Sequence, residues 1–71
     1  MRNQVKTDVI KLLEQMRENA HAVQISFEKS GDNKTAEFYK GEKLTYTCVI
    51  SLLSDESFFD KMWSIYNKEE Y

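Results

Sequence analysis

Residues 21–50, HAVQISFEKSGDNKTAEFYKGEKLTYTCVI, decide the fold that the sequence predicts. Apolar and polar side chains alternate over residues 21–28 and again over 44–50, and this period of two is typical of half-buried β-strands. Between them, residues 29–33 read Lys-Ser-Gly-Asp-Asn, which indicates a turn because Gly31 tolerates positive φ and Asp and Asn side chains bind nearby backbone. A third alternating stretch covers residues 34–40, and Gly41 marks a second turn. The stretch predicts three strands joined by two hairpins.

The flanking segments have helical periodicity. Ser54 suits the N-cap of a final helix, in which Asp55 and Glu56 complement the positive end of the helix dipole. On that helix, 100° per residue gathers these side chains on one side, with the last at its border: Phe58, Phe59, Met62, Ile65, Tyr66 and Trp63. Over residues 4–19 a first helix is predicted from apolar positions three and four apart, namely Val5, Val9, Leu12, Leu13, Met16 and, just beyond it, Ala20.

The expected fold class is therefore α+β, in a single domain over residues 1–71. A three-stranded antiparallel meander packs both helices on one face, giving a two-layer α-β-β-β-α arrangement. A chain of this size buries only about 60% of the surface of its unfolded form, so nearly every apolar side chain is needed in the core. The other face of the sheet is then open to water or to a partner.

The composition of the chain and its first residues predict an intracellular protein. The hydrophobic content of 41% is that of a folded globular domain. No apolar run approaches the roughly 18 residues that span a bilayer, and Met1 precedes a charged segment without the apolar core of a signal peptide. One cysteine, Cys48, cannot form an internal disulfide, which agrees with a reducing compartment. We expect a cytoplasmic protein with no membrane partner.

Charge is distributed unevenly. The net charge of −2 argues against nucleic acid as a partner, because nonspecific binding depends on clustered Lys and Arg. From residue 54 to 71, five acids oppose two lysines and give −3, whereas the first 53 residues carry seven acids and eight bases, or +1. The acidic surface is expected on the last helix, with Glu69 and Glu70 at its end.

The chain has few groups for catalysis. His21 and Cys48 are each expected to face inward on a strand and to be structural. One Cys and one His do not supply the usual ligands of a zinc site, and two glycines make no phosphate-binding loop. We expect no enzyme, no cofactor and no metal site.

Partner contacts are predicted at aromatic and acidic positions. Trp63 at the edge of the helical stripe and Tyr39 on the open sheet face are residue types enriched at interface hot spots. The acids of the last helix complete the predicted site, Asp55, Glu56 and Asp60.

Two resemblances of layout follow. The order helix, three strands, helix resembles the double-stranded-RNA-binding domain, which places lysines at the start of its second helix to hold phosphates. The corresponding positions here, Ser54-Asp55-Glu56-Ser57, are acidic. In size and acidity the chain also resembles small proteins of bacteriophages and mobile elements, including some anti-CRISPR inhibitors, which implies binding to a host protein without catalysis.

Three functional hypotheses are left open. The first is a non-catalytic protein-binding module, an inhibitor or regulator of phage or mobile-element type, that acts through the acidic last helix or the open sheet face. The second is a nucleic-acid binder that uses cations of the first helix, Arg2, Lys6, Lys11 and Arg17. The third is a self-associating structural protein, such as a homodimer joined through an edge strand or the sheet face.

Overall fold

The computed structural model describes residues 2–67, and these residues form three helices. The helices are α1 (Arg2–Lys29), α2 (Asn33–Ser54) and α3 (Glu56–Asn67). Among the described residues there is no strand, so the predicted three-stranded antiparallel sheet and the α+β class are wrong. Without a sheet, the predicted open sheet face and the layout shared with double-stranded-RNA-binding domains are also wrong.

Helix α1 extends through the segment that was predicted to be the first strand. Neither Gly nor Pro interrupts residues 2–29, so nothing in the backbone ends the helix there. Val23 and Phe27 fit an alternating strand, but they are also four apart and lie on one side of a helix. Ala20 and Gln24 have the same spacing, and they are the residues of α1 that are buried. The helix predicted over residues 4–19 is confirmed, and it continues to Lys29.

The turn predicted at residues 29–33 is confirmed. Gly31 has φ of 85°, in the left-handed region that glycine adopts without strain, and its N–H donates to the carbonyl of Glu28 at 3.1 Å. Asp32 then caps α2, since it accepts hydrogen bonds from the backbone N–H of Thr35 at 3.1 Å and from its hydroxyl at 2.7 Å. The hydroxyl bond, followed by the backbone bond, lowers the pKa of the Asp32 carboxyl.

Helix α2 occupies the region of the other two predicted strands. The turn predicted at Gly41 is wrong, because that residue lies inside the helix. Threonines, which favour strands, are accommodated here by hydrogen bonds to the backbone one turn earlier. The hydroxyl of Thr45 donates to the carbonyl of Gly41 at 3.1 Å, and that of Thr47 donates to the carbonyl of Lys43 at 3.2 Å.

Contacts between α1 and α2 pair late residues of one helix with early residues of the other, so the two form an antiparallel hairpin. Phe27 stacks on Tyr39 with ring centroids 5.9 Å apart near the turn. Further along, Nη1 of Arg17 donates to the Thr47 hydroxyl at 3.3 Å. On the same side, the Lys43 ammonium lies 2.8 Å from Nδ1 of His21.

Helix α3 begins one residue later than the sequence predicted. Ser54, the expected N-cap, is the last residue of α2, and its hydroxyl donates to the carbonyl of Ile50 at 2.9 Å. Asp55 performs the capping, because its carboxylate accepts the N–H of Phe58 at 3.0 Å. The break at Asp55 turns α3 back against the start of α1.

The core is small and the molecule is long. The buried hydrophobic residues are Ala20, Ala36, Leu53 and Phe59. The radius of gyration is 15.7 Å, against roughly 11 Å for a compact domain of this length, and the extents are 52 × 18 × 16 Å. None of the three helices combines the length and apolarity that crossing a bilayer requires. Much of the apolar surface is therefore left outside the core.

Candidate functional site

The three predicted acidic contact residues are engaged within the chain. Asp55 caps α3, as described above. The Glu56 carboxylate accepts a hydrogen bond from the Lys6 ammonium at 2.7 Å and lies 3.9 Å from the Arg2 guanidinium. The same guanidinium forms an ion pair with Asp60. The hydrogen bond from Lys6, and then its charge, lower the pKa of the Glu56 carboxyl. These ion pairs attach α3 to the start of α1 and reduce the acidic surface expected of the last helix.

The same ion pairs involve two cations of the basic cluster that was predicted as a nucleic-acid contact. Arg2 and Lys6 are held by the acids of α3, and Arg17 donates to Thr47. Lys11 is exposed. The four cations therefore do not form one open basic surface. Glu69 and Glu70, also counted in the acidic C-terminal part, lie outside the described residues.

The two predicted aromatic contact residues lie in apolar grooves. Trp63 stacks on Phe59 with ring centroids 6.0 Å apart and makes a tilted contact with Tyr66 at 6.2 Å. Tyr39 stacks on Phe27 and meets the edge of Phe38 at 5.2 Å. Both are half-buried, so each presents part of its ring to the surface.

The first groove has a volume of about 470 Å³ and lies where α3 meets the hairpin. The second, of about 240 Å³, lies nearer the turn. Val5 and Val9 line the first groove on α1, and Met16 and Val23 line the second. On α2, Leu53 lines the first groove, whereas Tyr39 and Tyr46 line the second.

Helical spacing places both grooves on one side of the hairpin. Tyr39, Tyr46 and Leu53 are seven residues apart, and Leu12 lies between Val9 and Met16 at spacings of three and four. We call this side the open face. Helix α1 contributes Val5, Val9, Leu12, Met16 and Val23 to it. Its remaining members, from α2 and α3, are Tyr39, Tyr46, Leu53, Met62, Trp63 and Tyr66.

The open face leaves four large apolar side chains of α1 exposed, although Leu53, which lines its first groove, is buried. Leu12 is 56% exposed, and Val5, Val9 and Met16 are 37–39% exposed. Scattered apolar residues are normal on protein surfaces, but contiguous apolar patches mark sites of interaction. The face thus has the chemistry of an interaction surface.

Charge is nearly absent from this face. Of the residues that line the two grooves, Glu42 alone is charged, and the Tyr46 hydroxyl donates to its Oε1 at 3.0 Å. That hydrogen bond raises the pKa of the Tyr46 hydroxyl, because ionisation would place two negative oxygens together. The face offers apolar contact and aromatic edges rather than groups for binding ions.

His21 and Cys48, the two side chains considered for catalysis from the sequence, line neither groove. Both were predicted to face inward, and both are exposed. His21 contacts Lys43 on the opposite edge of the hairpin. Among residues 2–67, no three His, Cys, Asp or Glu side chains converge in a way that would hold a metal ion.

The open face was not predicted from the sequence, because the apolar stripe of α1 was assigned to a core beneath a sheet. The signal that identifies the face is present in the chain: Val5 and Leu12, and likewise Val9, Met16 and Val23, are seven residues apart. Apolar positions that repeat every seven residues are typical of helices that pack along their length on another helix.

Comparison with known proteins gives no relative. No family model matches the chain, and no curated protein or solved structure matches it. The resemblance to phage or mobile-element inhibitors that the sequence suggested is therefore unsupported.

Proposed function

We propose that the chain is a non-catalytic protein-interaction module that binds through its open face. The observation that carries the proposal is the continuous row of large apolar side chains along α1, led by Leu12 at 56% exposure. Burying apolar surface contributes roughly 25 cal/mol per Å², so a partner that covers the row gains affinity without any charged contact.

The aromatic residues of the face favour the same function. Trp63 and Tyr39 are half-buried, and their rings are held by stacking on Phe59 and Phe27. Rings fixed in this way lose little conformational entropy on binding, and Trp and Tyr are enriched among residues that dominate binding energy. The accessible groove beside Trp63, of about 470 Å³, provides a recess for a partner side chain.

Nucleic acid is disfavoured as the ligand of this face. Affinity for a phosphate backbone depends on Lys and Arg, and neither lines either groove. The open face thus supports a protein partner, in agreement with the first hypothesis from sequence, but at a different surface from the acidic helix considered there.

Site-specific photo-crosslinking in the source cells tests the proposal. With p-benzoylphenylalanine in place of Met16, on the open face, we expect ultraviolet light to produce a discrete protein adduct. The control carries the same group at Leu44, which is 58% exposed and lines neither groove. Adducts from neither position, or equal adducts from both, would contradict the proposal.

A further inference from the structure

Helix α1 carries two parallel stripes that repeat every seven residues. The inner stripe contains Leu13, Ala20 and Phe27, of which Ala20 is 4% exposed. The outer stripe is the α1 part of the open face, Val5, Val9, Leu12, Met16 and Val23. A helix with two adjoining seven-residue stripes is built to pack against two neighbouring long helices.

Only one of these neighbours is present in the described chain. The inner stripe packs on α2, as the stacking of Phe27 on Tyr39 shows. Helix α3, the other helix of residues 2–67, contributes 12 residues and covers the start of α1 alone. Within residues 2–67, no further long helix covers the outer stripe near Leu12 and Met16, which are 56% and 37% exposed.

We infer that a second copy of the chain supplies the missing neighbour, so that two hairpins bury their open faces on each other. This inference rests on the proposed function, because it names the partner of the same surface. The result is a two-fold symmetric bundle of four long helices, in which each subunit uses the same patch.

The small core favours a second copy of the chain as the partner. Among residues 2–67, the buried hydrophobic residues are two alanines together with Leu53 and Phe59. A core of this size rarely supplies the free energy that a chain of about 70 residues needs to fold, unless oligomerisation adds to it. A second copy is present wherever the chain is made, so this partner is available whenever the chain folds.

The surface area agrees with this occupant. The accessible surface is 5429 Å², roughly 800 Å² more than a compact monomer of 8.4 kDa exposes. A stable interface buries about 800 Å² on each partner. The excess is thus similar to the area that one partner loses in a stable interface.

Charge also favours self-association. A face that is apolar, with Glu42 as its one charged groove residue, requires a partner surface that is apolar and has few charges. The open face itself meets this requirement. A partner rich in basic or acidic side chains would leave them buried without counterions.

Sedimentation equilibrium of the full chain tests the inference, with two matched leucine variants. Leu12 and Leu44 are 56% and 58% exposed, and Leu12 belongs to the open face whereas Leu44 lines neither groove. At micromolar concentrations we expect a mass near twice 8.4 kDa for the wild type and for Leu44→Glu. For Leu12→Glu we expect the dissociation constant to rise at least 100-fold, because a carboxylate would be buried in the interface.

A monomeric wild-type chain that retains its helical circular dichroism at about 0.1 mM overturns the inference. A dimer that Leu44→Glu breaks and Leu12→Glu does not break also overturns it. Since Leu12→Glu can unfold as it dissociates, the wild-type mass decides on its own. In the crosslinking experiment, a Met16 adduct of twice the chain mass supports the second copy. An adduct of another mass overturns the second copy while the proposed function stands, and the absence of any adduct overturns both.

Discussion

Asp32 orders the turn between the two long helices with its side chain and its backbone. Its carboxylate caps α2 through Thr35, its carbonyl accepts the N–H of Ala36 at 3.1 Å, and its own N–H donates to Phe27 at 2.9 Å. Replacing a capping aspartate removes a partner from the first turn of a helix. The lost hydrogen bonds would weaken the turn that joins the two helices of the hairpin.

Asp32→Ala should lower the thermal unfolding midpoint by a few degrees at pH 7, measured by circular dichroism. The control Asp32→Asn keeps an oxygen for the Thr35 N–H, so its midpoint should fall less. Because the pKa of Asp32 is lowered on folding, the stabilisation that depends on its charge is present above the unfolded pKa and is lost as the pH falls through the folded pKa. A wild-type advantage over Asp32→Asn that persists undiminished in strong acid would contradict this role.

At the residue scale, the sequence predicts local chemistry well. Gly31 and Asp32 were predicted to turn the chain because of their own backbone and side-chain properties, and they do. Inward-facing positions were predicted less well. Cys48 and His21 were assigned to strand interiors, and both are exposed because the segments that contain them are helical.

At the scale of elements, Phe59 attaches α3 to the hairpin. Its side chain is 2% exposed, and the Arg2 guanidinium and Lys6 ammonium lie 5.0 and 5.3 Å from its ring centroid. Those cations also reach the acids of α3, so one aromatic ring and three ion pairs share the contact. Cations over an aromatic ring add modest attraction to the apolar burial.

Phe59→Ala should cost about 3–5 kcal/mol and release α3, because it removes the largest buried side chain of the described core. Phe58→Ala is the matched control: Phe58 is 39% exposed, so its replacement should cost much less. Chemical denaturation measures the loss, and amide hydrogen exchange shows whether α3 opens first. Similar losses from both variants would argue against Phe59 as the attachment point.

The predicted secondary structure was wrong in short segments whose apolar pattern fits both a strand and a helix. Val23 and Phe27 satisfy both a strand and a helix, and an alternating run of seven residues, such as 44–50, does not decide between them. The continuous backbone from residue 2 to 29, without Gly or Pro, favours the helix, and so do the repeats of seven at Tyr39, Tyr46 and Leu53. The final helix was predicted to within one residue of its cap because Asp55 and Glu56 act locally.

At the scale of the whole molecule, the sequence does not reveal which apolar stripe is buried. Both stripes of α1 read as core when each is considered alone, and only the packing of α2 separates them. The predicted contact residues divide in the same way. Trp63 and Tyr39 lie on the open face, whereas Glu56 and Asp60 contact Arg2 and Lys6, which come from the far end of the sequence.

In the inferred dimer, a second copy covers the open face whenever the chain is folded. Folding and association are then linked, so stability depends on protein concentration. The most direct measurement is the thermal unfolding midpoint of the wild-type chain over a 100-fold range of concentration. We expect the midpoint to rise by several degrees from the lowest to the highest concentration. A cooperative unfolding transition whose midpoint is the same at every concentration would contradict it.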